Sequence, residues 1–237
     1  MLINPTYLLF MAPAFLLMAI ATMYVKSAYK KWSQIPASSR MTGYDAVQRL
    51  IARAGLSGIQ IQGVAGSLTD NYDPRTKILH LSQDVAGNAS VASLAVAAHE
   101  LGHAQQDAQG YFPLRFRAAL VPMVNIGSYL GWILIIGGML LNSFGYALGV
   151  NLAWLGVVIF AGGAVFALAT LPVELNASAR ARVLLSESGI ISGEDEQRGV
   201  SSVLNAAALT YVAALVSAML QLLYYVMMVG GLGRRRR

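Results

Sequence analysis

A chain of 237 residues that is 56% hydrophobic, only 12% charged and free of cysteine does not read as an ordinary soluble domain, in which about a quarter of residues carry charge. The formal net charge of +6 raises nucleic acid as a partner, but no basic stripe interleaved with aromatics is present, so bilayer topology accounts for the basic residues and nucleic acid is excluded. Without cysteine there is neither a disulfide framework nor a thiolate ligand, so any metal must rest on imidazole and carboxylate.

Taken in chain order, the first apolar run covers about 2–25, close to the length of roughly 20 residues that crosses a bilayer. No Lys or Arg precedes it and residues 24–31 do not form a small-residue cleavage site, so it reads as a retained transmembrane helix over 1–25. Residues 26–117 then have the punctuation of a folded α+β unit. Thr42 with Asp45 three residues later reads as an N-cap with a first-turn acid, and Tyr44, Val47, Leu50 and Ile51 recur at helical spacing until Gly55. Ile59, Ile61 and Val64 nearly alternate, Asp73-Pro74-Arg75-Thr76 is a turn signal, and Lys77 to Ser82 alternates again, which predicts a small sheet. A further helix follows Asn88 or Ser90 and runs to about Gln109, where Gly110 stops it.

That helix carries His99, Glu100, Leu101, Gly102 and His103, the HExxH pattern, in a chain with only one other histidine, His80. One helical turn separates positions 99 and 103, so their imidazoles share a face and can share one tetrahedral Zn²⁺, with Glu100 beside them as catalytic base. Gln105, Gln106 and Asp107 come directly after, so the helix does not span. It is expected at the cytoplasmic surface of the bilayer, packing Val91, Leu94, Ala95 and Ala98 inward. Residues 118–171 hold two more spans, at 118–141 and 146–171, and a fourth is expected at 206–229 before a basic tail at 230–237. Gly127 with Gly131 and Gly145 with Gly149 are small-residue pairs suited to helix contact.

Ten of the 17 basic residues fall between Lys26 and Arg117, three more between Arg180 and Arg198, and none in the first 25 residues or in 142–151. The positive-inside rule therefore puts 26–117 and 172–205 in the cytoplasm and the N-terminus outside. The tail conflicts with this: four spans from an outside start leave Arg234 to Arg237 outside, and Gln221 weakens the last run as a span.

Catalytic zinc takes three protein ligands and keeps an open position, so a third ligand is required. Position 109, where a metzincin would have histidine, is Gln109, and the acids after His103 are Asp107, Glu174, Glu187, Glu194, Asp195 and Glu196. The last three read as a solvated turn near Gly193. Glu174 stands just past Pro172 at the end of the third apolar run, with the nearest cation at Arg180, and a carboxylate at a membrane boundary needs a partner such as a metal. Snorkelling or pairing with Arg180 is the plainer alternative. Asp107, one turn beyond His103, is a candidate to orient that imidazole, and His80, Tyr211, Asn176 and Arg180 are candidate donors to a developing oxyanion. The strand at Lys77 to Ser82 precedes the HExxH helix and is expected to take an extended peptide along its edge.

HExxH with the distant Glu174 is similar to the gluzincin layout. More closely, Met41-Thr42-Gly43, Tyr72-Asp73-Pro74-Arg75-Thr76-Lys77, Ala97-Ala98-His99-Glu100-Leu101-Gly102-His103-Ala104, Leu171-Pro172-Val173-Glu174 with Asn176-Ala177-Ser178, and Leu204 to Val212 resemble the YugP-type neutral zinc metallopeptidases of bacterial membranes, over nearly the whole chain. The resemblance implies a multi-pass bacterial inner-membrane protein with one Zn²⁺ per chain, acting on peptide or protein substrates that include membrane proteins. Its better-understood relatives in plan, the heat-shock-type membrane proteases, carry aspartate four residues after the ligand glutamate; here that position is Ser178, a candidate second-layer residue. The expectation is thus a membrane α-helical protein of about four transmembrane helices with a small zincin-like α+β cytoplasmic domain. Its activity would be that of a membrane-anchored zinc endopeptidase, with a zinc hydrolase of another substrate, or a scaffold holding a structural metal, as the rival readings.

Overall fold

The computed structural model describes residues 5–234, and side chains through Leu232. Ten elements follow in order: α1 (Pro5–Ser33), α2 (Gly43–Arg53), β1 (Gln60–Val64), β2 (Asn71–Asp73), β3 (Ile78–Ser82), α3 (Gln83–Gly87), α4 (Val91–Ala108), α5 (Phe112–Ser143), α6 (Leu148–Glu187) and α7 (Glu194–Arg234). The fold is mostly helical, with one small sheet. The start of the first apolar run and Arg235 to Arg237 of the basic tail lie outside the described residues.

Helices α1, α5, α6 and α7 are each long and apolar enough to cross a membrane, and little of their apolar stretches is buried within the protein. Side chains such as Leu9, Met123, Ile126, Phe144 and Val158 stand largely exposed, an arrangement that water would penalise and lipid accepts. All four helices outrun their apolar stretches. The third run was expected to end before Pro172, yet α6 continues through that proline to Glu187. A proline removes one backbone hydrogen bond, which a helix of 40 residues tolerates without ending.

Two compact units share these helices. One comprises the chain up to Ile20, Phe116–Leu171 and the segment from Tyr211 onward. Its interior is built from Ile135, Ala153, Val157, Tyr224, Tyr225 and Val229. Here α5 and α6 approach closely at Gly131 against Gly156 and at Gly138 against Gly149, where an added Cβ would strike the facing backbone. Gly145, expected in a helix contact, has φ +92° and instead makes the α5–α6 turn.

The other unit is Ala21–Arg115 with Pro172–Thr210. Thr42 closes a reciprocal capping box with Asp45 at the start of α2, which buries Ala46, Val47 and Leu50. The sheet has order β1-β3-β2, with β1 parallel and β2 antiparallel to β3. Leu79 of β3 lies level with Ile61 of β1 and Tyr72 of β2, and these three face the core. Ser90 caps α4 by accepting a hydrogen bond from the Ser93 N–H, and the segment at 35–37 pins the helix start through Val91 N–H to Ile35 C=O at 3.0 Å.

Helix α4 is buried from Val91 to Gln106 with few breaks. The expectation was an apolar face, with Val91, Leu94, Ala95 and Ala98 packed inward. Five alanines, at 92, 95, 97, 98 and 104, instead give the helix a slim profile that α2, α3 and the sheet can enclose.

Candidate metal centre

The site is assembled from α4 and the last four turns of α6, and Gly102 sets the distance between them. A Cβ on Gly102 would lie 2.6 Å from the Ala177 carbonyl oxygen, so only glycine lets the two backbones cross this closely. The crossing brings Glu174, one turn before Ala177, to the imidazoles on the same stretch of α4. Glu174 Oε2 is 3.2 Å from His99 Nε2 and 3.4 Å from His103 Nε2. One ligand atom from each of the three residues falls within a span of 4.8 Å.

This donor set fits zinc. Zn²⁺ ligands lie about 2.0–2.1 Å from the ion, and in a tetrahedron that puts neighbouring ligands about 3.3–3.4 Å apart, the separation of Glu174 from the two imidazoles. Glu174 is 2% exposed, and a carboxylate so placed needs a positive partner. Burial works against a charged His103, yet the hydrogen bond it donates to Glu174 and the charges of Glu100 and Glu174 hold its pKa above the ordinary value. The electrostatics of the site therefore favour a cation between these groups.

Glu100 is also buried, and burial pushes its carboxyl above the usual range, with Glu174 and Asp70 adding to the effect while His99 and His103 oppose it. None of the hydrogen bonds among the described residues ends on its carboxylate, which leaves both oxygens able to meet a water. Both imidazoles are also held from behind. His99 Nδ1 meets Ser178 Oγ at 3.2 Å, and His103 Nδ1 meets Gln106 Oε1 at 3.0 Å. The Gln106 amide in turn donates to the Val173 carbonyl at 2.8 Å and to Asn176 Oδ1 at 2.9 Å.

The other expected residues have surroundings of their own. Asp107 accepts a hydrogen bond from the Tyr72 hydroxyl at 2.9 Å, tying α4 to β2, and it is Gln106 that meets His103. His80 is level with Gln62 and Asn71, on the sheet face opposite Leu79, and is not in the three-residue group. Arg180 donates to Asn176 at 2.7 Å, to Gln105 at 3.1 Å and to Gln109 at 2.7 Å, so both Arg180 and Asn176 are engaged with protein partners. Tyr211 is half-buried in the other compact unit. Glu196, read as part of a solvated turn, accepts two hydrogen bonds from Ser38.

Sequence reasoning treated Gln106 as evidence of a wet helix end, but it is fully buried. A signal was present: positions 99, 103 and 106 fall at i, i+4 and i+7, one stripe of the helix. The strand at β3 was also expected to offer an edge. It is the central strand, flanked by β1 and β2, and beyond β2 its last residue, Ser82, is held by the Asp70 carboxylate at 2.7 and 3.0 Å.

Four helices fit to cross a membrane, with two helix-borne imidazoles and a buried carboxylate grouped so that they could hold a metal ion, define a membrane protein with a candidate metal site. Residues 7–230 match the family described as "Putative neutral zinc metallopeptidase", and the chain belongs to that family. Over 207 residues, 87% of this chain and 89% of the relative, it is 41% identical to the "Putative membrane protease YugP" of Bacillus subtilis (strain 168). No solved structure matches.

Proposed function

We propose that the protein is a membrane-anchored zinc endopeptidase of gluzincin type, with His99, His103 and Glu174 as ligands of one Zn²⁺ and Glu100 as general base. The observation that carries this is the approach of Glu174 Oε2 to both Nε2 atoms, at 3.2 and 3.4 Å, across the Gly102 crossing. The family description and the protease relative support zinc and peptide hydrolysis in particular.

Zinc held there supplies Lewis acidity toward a water and the scissile carbonyl. The chain's own residues do the rest. His103 presents Nε2 to the ion because Gln106 Oε1 holds the proton on its Nδ1, and His99 does the same when Ser178 Oγ accepts from its Nδ1. Glu100 takes a proton from the water as its oxygen bonds the carbonyl carbon, then returns that proton to the amine as the C–N bond breaks. Its raised proton affinity suits both halves of that cycle.

The substrate is an extended peptide, drawn from soluble or membrane proteins. With β3 covered on both sides, the edge that serves is β2, whose Tyr72 is bonded to Asp107 one turn past His103. The zincin-like unit works at the cytoplasmic face of a bacterial inner membrane, a placement supported by thirteen basic residues in 26–117 and 172–205. The test is peptide-library cleavage by the purified zinc-loaded protein beside Glu100→Gln. Cleavage by the wild type alone is expected, and equal cleavage by both would overturn the assignment.

A further inference from the structure

Resting on the zinc reading above, a second property of the site follows from hydrogen-bond polarity alone. The Val173 backbone carbonyl can only accept, so the part of Gln106 that faces it at 2.8 Å is the NH2 group. Oε1 of Gln106 is then the atom 3.0 Å from His103 Nδ1, and an amide oxygen bonds only a ring N–H. His103 therefore carries a proton on Nδ1, which makes Nε2, 3.4 Å from Glu174 Oε2, the ring atom that would bind a metal. The same polarity is enforced from the other end. Arg180 can only donate, so its bond at 2.7 Å fixes Asn176 with Oδ1 as acceptor, and that oxygen takes the second Gln106 N–H at 2.9 Å.

We infer that Gln106 is a positioning residue for the metal site, through which the backbone carbonyl next to the ligand Glu174 and the Asn176–Arg180 pair set the tautomer and ring orientation of His103. The chain links both helices of the site. The two imidazoles differ in this respect, because the Ser178 hydroxyl at His99 Nδ1 can donate or accept and imposes no direction. His103 is the locked ligand and His99 the adjustable one. Complete burial of Gln106 keeps water from substituting for either partner.

The test is zinc affinity by chelator competition on the full-length purified protein, for wild type, Gln106→Met, Gln106→Glu and Ser178→Ala. Methionine keeps the volume and removes the acceptor, and should weaken zinc binding about 10- to 100-fold. Glutamate keeps an acceptor toward Nδ1, although its second oxygen must carry a proton to meet the Val173 carbonyl, and should recover part of that loss, while Ser178→Ala should cost less than Gln106→Met. With only three histidines in the chain, ¹⁵N-histidine NMR of the zinc-loaded wild type should show a slowly exchanging proton on His103 Nδ1, lost in Gln106→Met. Equal weakening by Met and Glu, the outcome of a merely structural role, would overturn the inference, as would wild-type affinity in Gln106→Met. If Gln106→Met fails to fold, a wild-type His103 without a proton on Nδ1 overturns it unaided. These readouts need no substrate, so an absence of peptide cleavage would strike the proposed enzyme and leave this inference standing.

Discussion

Replacing Gly102 with alanine tests whether helix crossing, rather than the HExxH residues alone, makes the site. The new Cβ would stand 2.6 Å from the Ala177 carbonyl oxygen and 3.2 Å from its carbonyl and α carbons, all backbone atoms that cannot swing aside. Ordinary contact begins at 3.4 Å, so α4 and α6 must part by about 0.8 Å at that point. Glu174 lies one turn away on α6, and metal sites tolerate ligand displacements of only about 0.2 Å. Overpacking costs about 1–3 kcal/mol, partly offset by the helix propensity of alanine over glycine at about 1 kcal/mol. The substituted protein should thus fold with a modest loss of stability but bind zinc far more weakly than wild type. Thermal melting of the zinc-free protein, paired with chelator competition, separates the two effects. Wild-type zinc affinity in Gly102→Ala would refute the claim that this crossing sets the ligand spacing.

Glu100→Gln should keep zinc and lower peptide hydrolysis by about 10²–10⁴-fold, without loss of thermal stability, because burial already disfavours the charged form; a matching loss of zinc would contradict the base assignment. Glu174→Ala should strip the metal while leaving α4 folded, as read by elemental analysis beside circular dichroism, and full occupancy would move the third ligand elsewhere. Thr42→Ala removes the reciprocal cap of α2 and should cost about 1 kcal/mol in unfolding experiments, with zinc affinity unchanged. The absence of cysteine allows clean topology mapping: Ser67→Cys, in an exposed loop of the sheet region, should resist a membrane-impermeant maleimide in intact cells, whereas Ser143→Cys at the α5–α6 turn should react. The reverse pattern would invert the orientation.

Where a signal is local in the chain, it could be read before any coordinates. The Thr42–Asp45 cap, the Gly110 stop after α4 and the four apolar runs each depend on neighbours a few residues apart. Glu174 stood out for a different reason, since an acid beside an apolar run, with the nearest cation six positions on at Arg180, calls for a partner such as a metal. What stayed hidden depends on contacts between distant segments. The Val173 carbonyl and Asn176 that bury Gln106 lie 67 and 70 positions away, and its own polarity argues for solvent. That β3 sits between its neighbours is a matter of strand order, which alternation does not encode, and β2 has only three residues with which to announce itself. Nothing in the HExxH pattern singles out Gly102, whose lack of a side chain admits α6.

The measurement closest to the centre of this account is zinc K-edge X-ray absorption on the purified protein. Scattering from two imidazole rings at about 2.0–2.1 Å, completed by oxygen donors and free of sulfur, is the result expected from His99, His103 and Glu174. A shell with three imidazoles, which would enlist His80, or with none, would contradict it.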